Sequence, residues 1–253
     1  MFINDTNFLD QHFLIDSDIK SLFLSTCDIN DEDDVVEIGP GKGTITKMIA
    51  PFAKSLTVIE LDKRLAPYLE AIPNIRVIYD NVLKVEIPKC NKIVTSLPYS
   101  ITEPFIYKLT NTKFDKLIMI CGNNFALSVK NNDQTKLSIL TNVFFKINYI
   151  KEILPNSFKP EPKVLSALIT LEPKQIKELS KPELVMHDLF LYRYMKLKNA
   201  LKEIFIKLNH LNQRSSRDLI NGLKINDIIL DKKFDELSNE EVTYLFDILK
   251  ENM

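Results

Sequence analysis

Five short apolar runs between residues 34 and 121 alternate with segments of helical spacing. No other feature constrains the fold so tightly. The runs are DVVEIG (34–39), LTVIEL (56–61), NIRVIY (74–79), KIVTSL (92–97) and KLIMIC (116–121). Each is short, rich in β-branched residues and bounded by Gly, Pro or polar clusters, as a buried strand is. Between them, GTITKMIAPF, KRLAPYLEAI and ITEPFIYKLT carry apolar residues at helical spacing. Strands joined by crossover helices lie parallel, so the expected fold class is α/β with a Rossmann-like, doubly wound sheet. Two further runs, LSILTNVFFKINYIKEIL and VLSALITLEP, flank the proline-punctuated loop PNSFKPEPK, and beyond LEPKQIKELSKPE the pattern is wholly helical. A domain boundary is expected near residue 175, giving a sheet domain over 1–175 and a small helical domain over 176–253.

Composition narrows the function classes. With 45% hydrophobic and 26% charged residues the chain is that of a folded globular protein. It has no run of 18 apolar residues, so no membrane span is expected, and the acidic start MFINDTNFLDQHFLID does not read as a leader peptide. Cys27, Cys90 and Cys121 are few and widely spaced, which argues against a disulfide framework or a zinc site and suits a reducing cytoplasm. Charge is unevenly spread. Residues 1–34 carry nine acidic side chains against Lys20, whereas 190–217 carry seven Lys or Arg against Glu203. Such a basic, aromatic-containing helix either docks on phosphates or is simply a solvated face.

Only five glycines occur in 253 residues, and three of them, Gly39, Gly41 and Gly43, fall within one strand–turn–helix segment, VVEIGPGKGTITKMIA. Glycine at 39 and 41 permits a sharp turn and close approach of a ligand, and at 43 close packing as the helix begins. Glu60 ends the next strand, where a carboxylate can accept from both ribose hydroxyls of an adenosine-containing cofactor. The spacing is G-x-G-x-G, not the dinucleotide G-x-G-x-x-G, and Glu37 precedes it. A nucleoside cofactor without pyrophosphate but with a cationic end, S-adenosylmethionine, fits both facts. A nicotinamide-dependent oxidoreductase is disfavoured by the same spacing.

At the end of the fourth strand the chain reads SLPYSITEPFIYKL (96–109). Together with DQHFLID (10–16), EIGPGKGTIT (37–46), VIELDKRL (58–65), NVLKVEIP (81–88), FKPEPKVLSALITLEP (158–173) and LFLYRYMKLKNAL (189–201), this ordered set resembles the archaeal-type rRNA adenine N6,N6-dimethyltransferases. The resemblance implies that 1–175 binds S-adenosylmethionine and that 176–253 binds RNA. It implies cofactor contacts at His12, Leu14, Gly39 and Gly41, then at Glu60, Leu61, Asn81, Val82 and Ser96. His12 is expected to touch cofactor through its backbone. Ser96, Pro98 and Tyr99 take the catalytic positions. The side chain at 96 and the Pro98 carbonyl accept from the adenine N6 amino group, and Tyr99 stacks on the flipped-out base. Read alone, a Pro-Tyr leaving a strand end favours a site-lining position for Tyr99 over core packing, and Phe158 is either a second stacking face for RNA or a loop anchor. Arg193, Lys196, Lys198 and Lys202 are expected to grip RNA phosphates, and no metal is implied.

Three positions depart from the family pattern. Ser96 stands where Asn is usual, Asn81 where Asp is usual, and GNNFALSV (122–129) where relatives carry a Gln-x-Glu-φ-Ala-x-Arg-like run, φ being apolar. The leading expectation is dimethylation of adenines in small-subunit rRNA, coupled to ribosome assembly, by a cytoplasmic monomer acting on rRNA or the pre-ribosomal small subunit. The alternative is an rRNA-binding assembly factor that kept the fold. His187 and His210 are expected to be surface or cap residues, and Ser238 with Glu241 to form a capping box.

Overall fold

The structure, a computed structural model, describes residues 12–208 and 215–253. Arg214 and His210, and the chain before His12, lie outside the described residues. The chain forms two compact units, one running to Lys130 and resuming over Lys146–Pro173, the other made of Asn131–Phe145 and Lys174–Met253.

The first unit is built on strands β1 (Phe13–Leu14), β2 (Asp34–Ile38), β3 (Ser55–Glu60), β4 (Ile75–Tyr79), β5 (Lys92–Ser96), β6 (Lys116–Gly122), β7 (Phe145–Ile153), β8 (Phe158–Lys159) and β9 (Ser166–Pro173). Seven of them form one sheet in the order β4-β3-β2-β5-β6-β9-β7. The five sequence-derived strands, β2 to β6, are all parallel, and β9 runs antiparallel to β6. From β2 the chain winds outward through β3 and β4, then returns to place β5 on β2's other side. Strand order therefore reverses between β2 and β5, the crevice at which open α/β sheets bind ligands.

Helices α1 (Ser17–Cys27), α2 (Thr44–Ile49), α3 (Ala66–Leu69), α4 (Thr102–Leu109) and α5 (Asn123–Lys130) belong to the same unit. Val35, Val58, Val94 and Ile118 from four strands meet Phe23 and Cys27 of α1, Ile49 of α2 and Leu69 of α3 in one buried cluster. Each such side chain contributes roughly 1.5–3 kcal/mol on burial. The N-terminus of α1 is capped by Asp16, which accepts from the Asp18 and Ile19 amides and from the Ser157 hydroxyl. That fastens the segment after His12 to the loop before β8. The β1–β8 ribbon continues the attachment, pairing Phe13 with Lys159 and Leu14 with Phe158.

The second unit contains α6 (Lys136–Phe144), α7 (Lys181–Leu191), α8 (Leu197–Leu208), α9 (Ser216–Gly222), α10 (Asp227–Leu230) and α11 (Asn239–Asn252). Phe190 packs edge-on against both Phe144 and Phe234, with ring centroids 5.5 and 6.0 Å away. Reciprocal capping boxes start α7 (Ser180 with Glu183) and α11 (Ser238 with Glu241), the second as the sequence indicates. The run LSILTNVFFKINYIKEIL divides where its period changes. Thr135 caps α6, whose Ile139, Leu140, Val143 and Phe144 are buried, and the alternating KINYIKEI continues as β7. Residues 131–145 thus join the helical unit and not the sheet domain expected over 1–175. His187, expected at the surface or in a cap, is half-buried and partnered. Its Nδ1 bonds Asp188 at 2.9 Å and its ring lies 4.6 Å from that of Phe144. Among the described residues no helix is long and apolar enough to cross a membrane.

Candidate active site

A cavity of ≈ 190 Å³ opens in the sheet unit at the carboxyl ends of β2, β3 and β5. The turn after β2 forms its floor. Gly39, Gly41 and Gly43 all have positive φ, at 66°, 58° and 75°. At Gly43 a Cβ would lie 2.5 Å from the Ile72 side chain, and at Gly41 2.9 Å from the Phe13 ring. At Gly39 the nearest atom would be the Ser96 carbonyl oxygen, 4.0 Å away, so its bare backbone faces open space. Two of the glycines thus admit neighbouring side chains, and the third is bare toward the cavity.

Two carboxyls stand at this turn. Glu60 Oε2 accepts from the Gly41 amide at 3.0 Å and Oε1 from the Asp62 amide at 2.9 Å. Each oxygen keeps a further lone pair for a ligand hydroxyl. Burial nevertheless raises the Glu60 pKa, outweighing those hydrogen bonds. Glu37 is more extreme. It is buried beneath the turn beside the Thr46 hydroxyl, and among the described residues neither its Oε2 nor that hydroxyl makes a well-formed hydrogen bond. Burial pushes its carboxyl up to about 8, and the Glu60 carboxylate adds to the effect. An orphaned buried carboxyl costs on the order of 1–3 kcal/mol unless something meets it. A cavity with carboxyls at its base and Leu61 and Val82 in its walls fits a cationic adenosine-containing group.

The remaining cofactor candidates also line this cavity. His12 is held by a 2.8 Å hydrogen bond from its ring to the Pro160 carbonyl, and Leu14 is buried beside it. Asn81 is among them, and its amide oxygen has two lone pairs to offer. Its amide oxygen already accepts from the Leu83 amide at 2.9 Å and caps the turn that follows, because a short amide next to a free backbone N–H closes an Asx turn.

Ser96, Pro98 and Tyr99 lie together at the same mouth. Ser96 ends β5, half-buried, and its hydroxyl has no partner among the described residues. The Pro98 carbonyl accepts from the Ile101 amide at 3.2 Å as the chain turns into α4. The Tyr99 phenol oxygen lies 2.5 Å from Ser166 Oγ, a partner the sequence did not reveal. Nor did it reveal the Asn123 network. In the departing GNNFALSV run, the buried Asn123 amide accepts from the Tyr149 hydroxyl and donates to Glu152, at 2.8 and 3.0 Å.

Two expectations for RNA contacts change. Phe158 is 2% exposed and sits in the core cluster with Leu14 and Phe23, so it is an anchor with one edge on the cavity and not an open stacking face. In the helical unit, Arg193 is half-buried between the Phe190 and Tyr194 rings and faces Asp235 at 3.7 Å. Lys196 and Lys198 share Asp231, at 3.5 and 2.6 Å. Of the four cations only Lys202 carries no ion pair among the described residues. Arg193 is thus part of the scaffold, while the exposed Lys196 and Lys198 pairs are weak enough for a phosphate to displace.

Comparison with known proteins decides the family. Residues 3–247 match the family model described as ribosomal RNA adenine dimethylase. The chain belongs to the ribosomal RNA adenine dimethylase family. Members of this family are S-adenosylmethionine-dependent methyltransferases. Among similar dimethylase relatives, the Pyrococcus abyssi protein named probable ribosomal RNA small subunit methyltransferase A is 30% identical, with 96% of this chain and 91% of the relative covered. The Pyrococcus furiosus protein of the same name is 32% identical over 98% and 95%. A crystal structure of a dimethyladenosine transferase from Plasmodium falciparum shares the dimethylase fold at a TM-score of 0.65 and 23% identity, covering 96% of this chain and 99% of that one. The 23S rRNA methyltransferase ErmE does so at 0.61 and 21%, covering 94% and 99%.

Proposed function

We propose that the protein transfers methyl groups from S-adenosylmethionine to the N6 atom of adenines in small-subunit rRNA, two to each target, during assembly of the subunit. The observation that carries this reading is the placement of Ser96, Pro98 and Tyr99 at the mouth of the glycine-floored cavity. S-adenosylmethionine supplies an electrophilic methyl on a sulfonium. The protein's task is therefore positioning, with no strong base required. Glu60 takes the ribose hydroxyls through its spare lone pairs, and Leu61 and Val82 flank the adenine of the cofactor. Glu37 and the bare Gly39 backbone face the cationic end.

On the substrate side, the Ser96 hydroxyl, without a partner among the described residues, and the Pro98 carbonyl accept from the target amino group. That turns the nitrogen lone pair out of conjugation and toward the methyl. Tyr99 offers its ring to the extruded base, an interaction worth about 1–3 kcal/mol. A hydroxyl at position 96 is shorter than the family's amide, so the base has to sit deeper for the same contact. The reading includes RNA phosphates held by the helical unit through Lys202 and the exposed Lys196 and Lys198. It places the protein in the cytoplasm as a monomer acting on rRNA or the pre-ribosomal small subunit.

The test is incubation of the full chain with unmethylated small subunits and methyl-labelled S-adenosylmethionine, followed by nucleoside mass spectrometry. Label in N6,N6-dimethyladenosine is the expected result. Subunit binding without label would overturn the enzymatic reading.

A further inference from the structure

We propose that Ser166 is a positioning residue for methyl transfer, fixing the ring of Tyr99 on which the target adenine stacks. This rests on the role given to Tyr99 above. Ser166 is the first residue of β9, fully buried, in a strand segment that is otherwise apolar as far as Ile169. A buried hydroxyl costs free energy unless it is bonded, and the bond it makes here is to the Tyr99 phenol, at 2.5 Å. Ser166 lies directly opposite Gly122 of β6 in the sheet register. A Cβ at Gly122 would lie at van der Waals distance from the ring, 3.6 Å from Tyr99 Cγ and 3.7 Å from Cδ1, so the ring passes beside the bare backbone of β6 and its tip is tied one strand further along.

The two supports do different things. The phenol oxygen lies on the ring's long axis. Anchoring it fixes where that axis points and leaves rotation about the axis free. Rotation is limited by the ring's neighbours, the Gly122 backbone beside it and the His12 ring, near-parallel at 19° with centroids 6.3 Å apart. Ser166 sets the axis, and the neighbours set the plane. Both are needed to present one face to a base, because small misplacement of a reacting group is expensive in rate.

The test is a double-mutant cycle on single-turnover methyl transfer to small subunits, with cofactor affinity by calorimetry and the melting temperature measured for every variant. Ser166→Ala and Tyr99→Phe each remove the same hydrogen bond, so each is expected to slow transfer roughly three- to ten-fold. Cofactor affinity should not move. The double variant should be no slower than the slower single variant, whatever the separate effects on melting. Ser166→Cys, close in size and a weaker donor, should fall between wild type and Ser166→Ala, and it serves if the alanine variant does not fold. A merely structural Ser166 would slow transfer equally in the Tyr99→Phe background, which would overturn the inference. An unchanged rate in Ser166→Ala, with Tyr99→Ala still crippling, would overturn it and leave the proposed function standing. Absence of methyl transfer by the unmodified protein would remove the proposed function, and this inference with it.

Discussion

At the scale of single residues, the site combines one carboxyl held away from its ordinary ionisation with one hydroxyl shorter than the amide that the family resemblance implies. Glu37 carries its proton up to about pH 8 when folded, because burial disfavours the charge, whereas an unfolded chain releases it near pH 4.5. Between those values the native state binds one more proton than the unfolded state, so this group's contribution to stability is full below pH 4.5. It declines as pH rises toward 8. Glu37→Gln should therefore raise the melting temperature of the cofactor-free protein, on the order of 5 °C at pH 8 and much less at pH 5. Binding a cationic group beside Glu37 favours the ionised form, so affinity for S-adenosylmethionine should rise from pH 6 to pH 8 and lose that dependence in Glu37→Gln. Calorimetry across the range checks both, and a pH-independent wild-type affinity would count against the assignment. Ser96→Asn is the complementary experiment. Restoring the longer acceptor should raise the methyl-transfer rate, by up to on the order of 100-fold if the target now sits about 1 Å from its best position. A slower variant would mean that the pocket is already built around serine.

At the scale of elements, the strand–turn–helix around the three glycines is the part on which the cavity depends. Gly43 has a φ of +75°, and a Cβ there would meet Ile72 at 2.5 Å. Gly43→Ala should cost about 1–3 kcal/mol of stability and weaken cofactor binding, read by thermal denaturation with and without S-adenosylmethionine. A melting temperature within 1 °C of wild type would show that the turn relaxes without cost. This element was legible in the sequence because local chemistry dictates it. A β-branched strand, clustered glycines in a glycine-poor chain and an acidic residue at the next strand end each act within a few residues. The same holds for β2 to β6, whose period is local. The hydrogen bond between Tyr99 and Ser166 was not legible, since it joins residues 67 positions apart and depends on the antiparallel return of β9 onto β6. Phe158, read as equally a stacking face or an anchor, became an anchor through the β1–β8 ribbon, a pairing of two-residue strands too short to carry a period. Arg193 was expected on phosphates because basic helices often sit there. Its aromatic neighbours and Asp235 draw it into the scaffold, and Asp235 arrives from a distant segment.

At the scale of the whole molecule, the division into units does not follow the order of the chain. The sequence places one boundary near residue 175, and the second unit does resume at Lys174, but it also takes Asn131–Phe145 from between α5 and β7. Within α6, Ile139, Leu140, Val143 and Phe144 are all buried, and Phe144 packs on Phe190 and His187 of α7. Lys136 at its start donates to the Phe234, Asp235 and Leu237 carbonyls, and its backbone amide donates to Asn239. A fragment ending at Pro173 keeps α6 and loses every one of these partners, baring several large apolar side chains, each worth roughly 1.5–3 kcal/mol when buried. Such a patch promotes association. The fragment 1–173 should therefore bind a hydrophobic dye and self-associate at micromolar concentration. A second fragment in which 131–145 is replaced by a short Gly/Ser linker should do neither, since it keeps the strands and the glycine turn that form the cavity. Sedimentation, dye fluorescence and S-adenosylmethionine calorimetry on the two fragments provide the comparison. If 1–173 proves monomeric, dye-silent and cooperative in unfolding, α6 is not an obligate part of the helical unit.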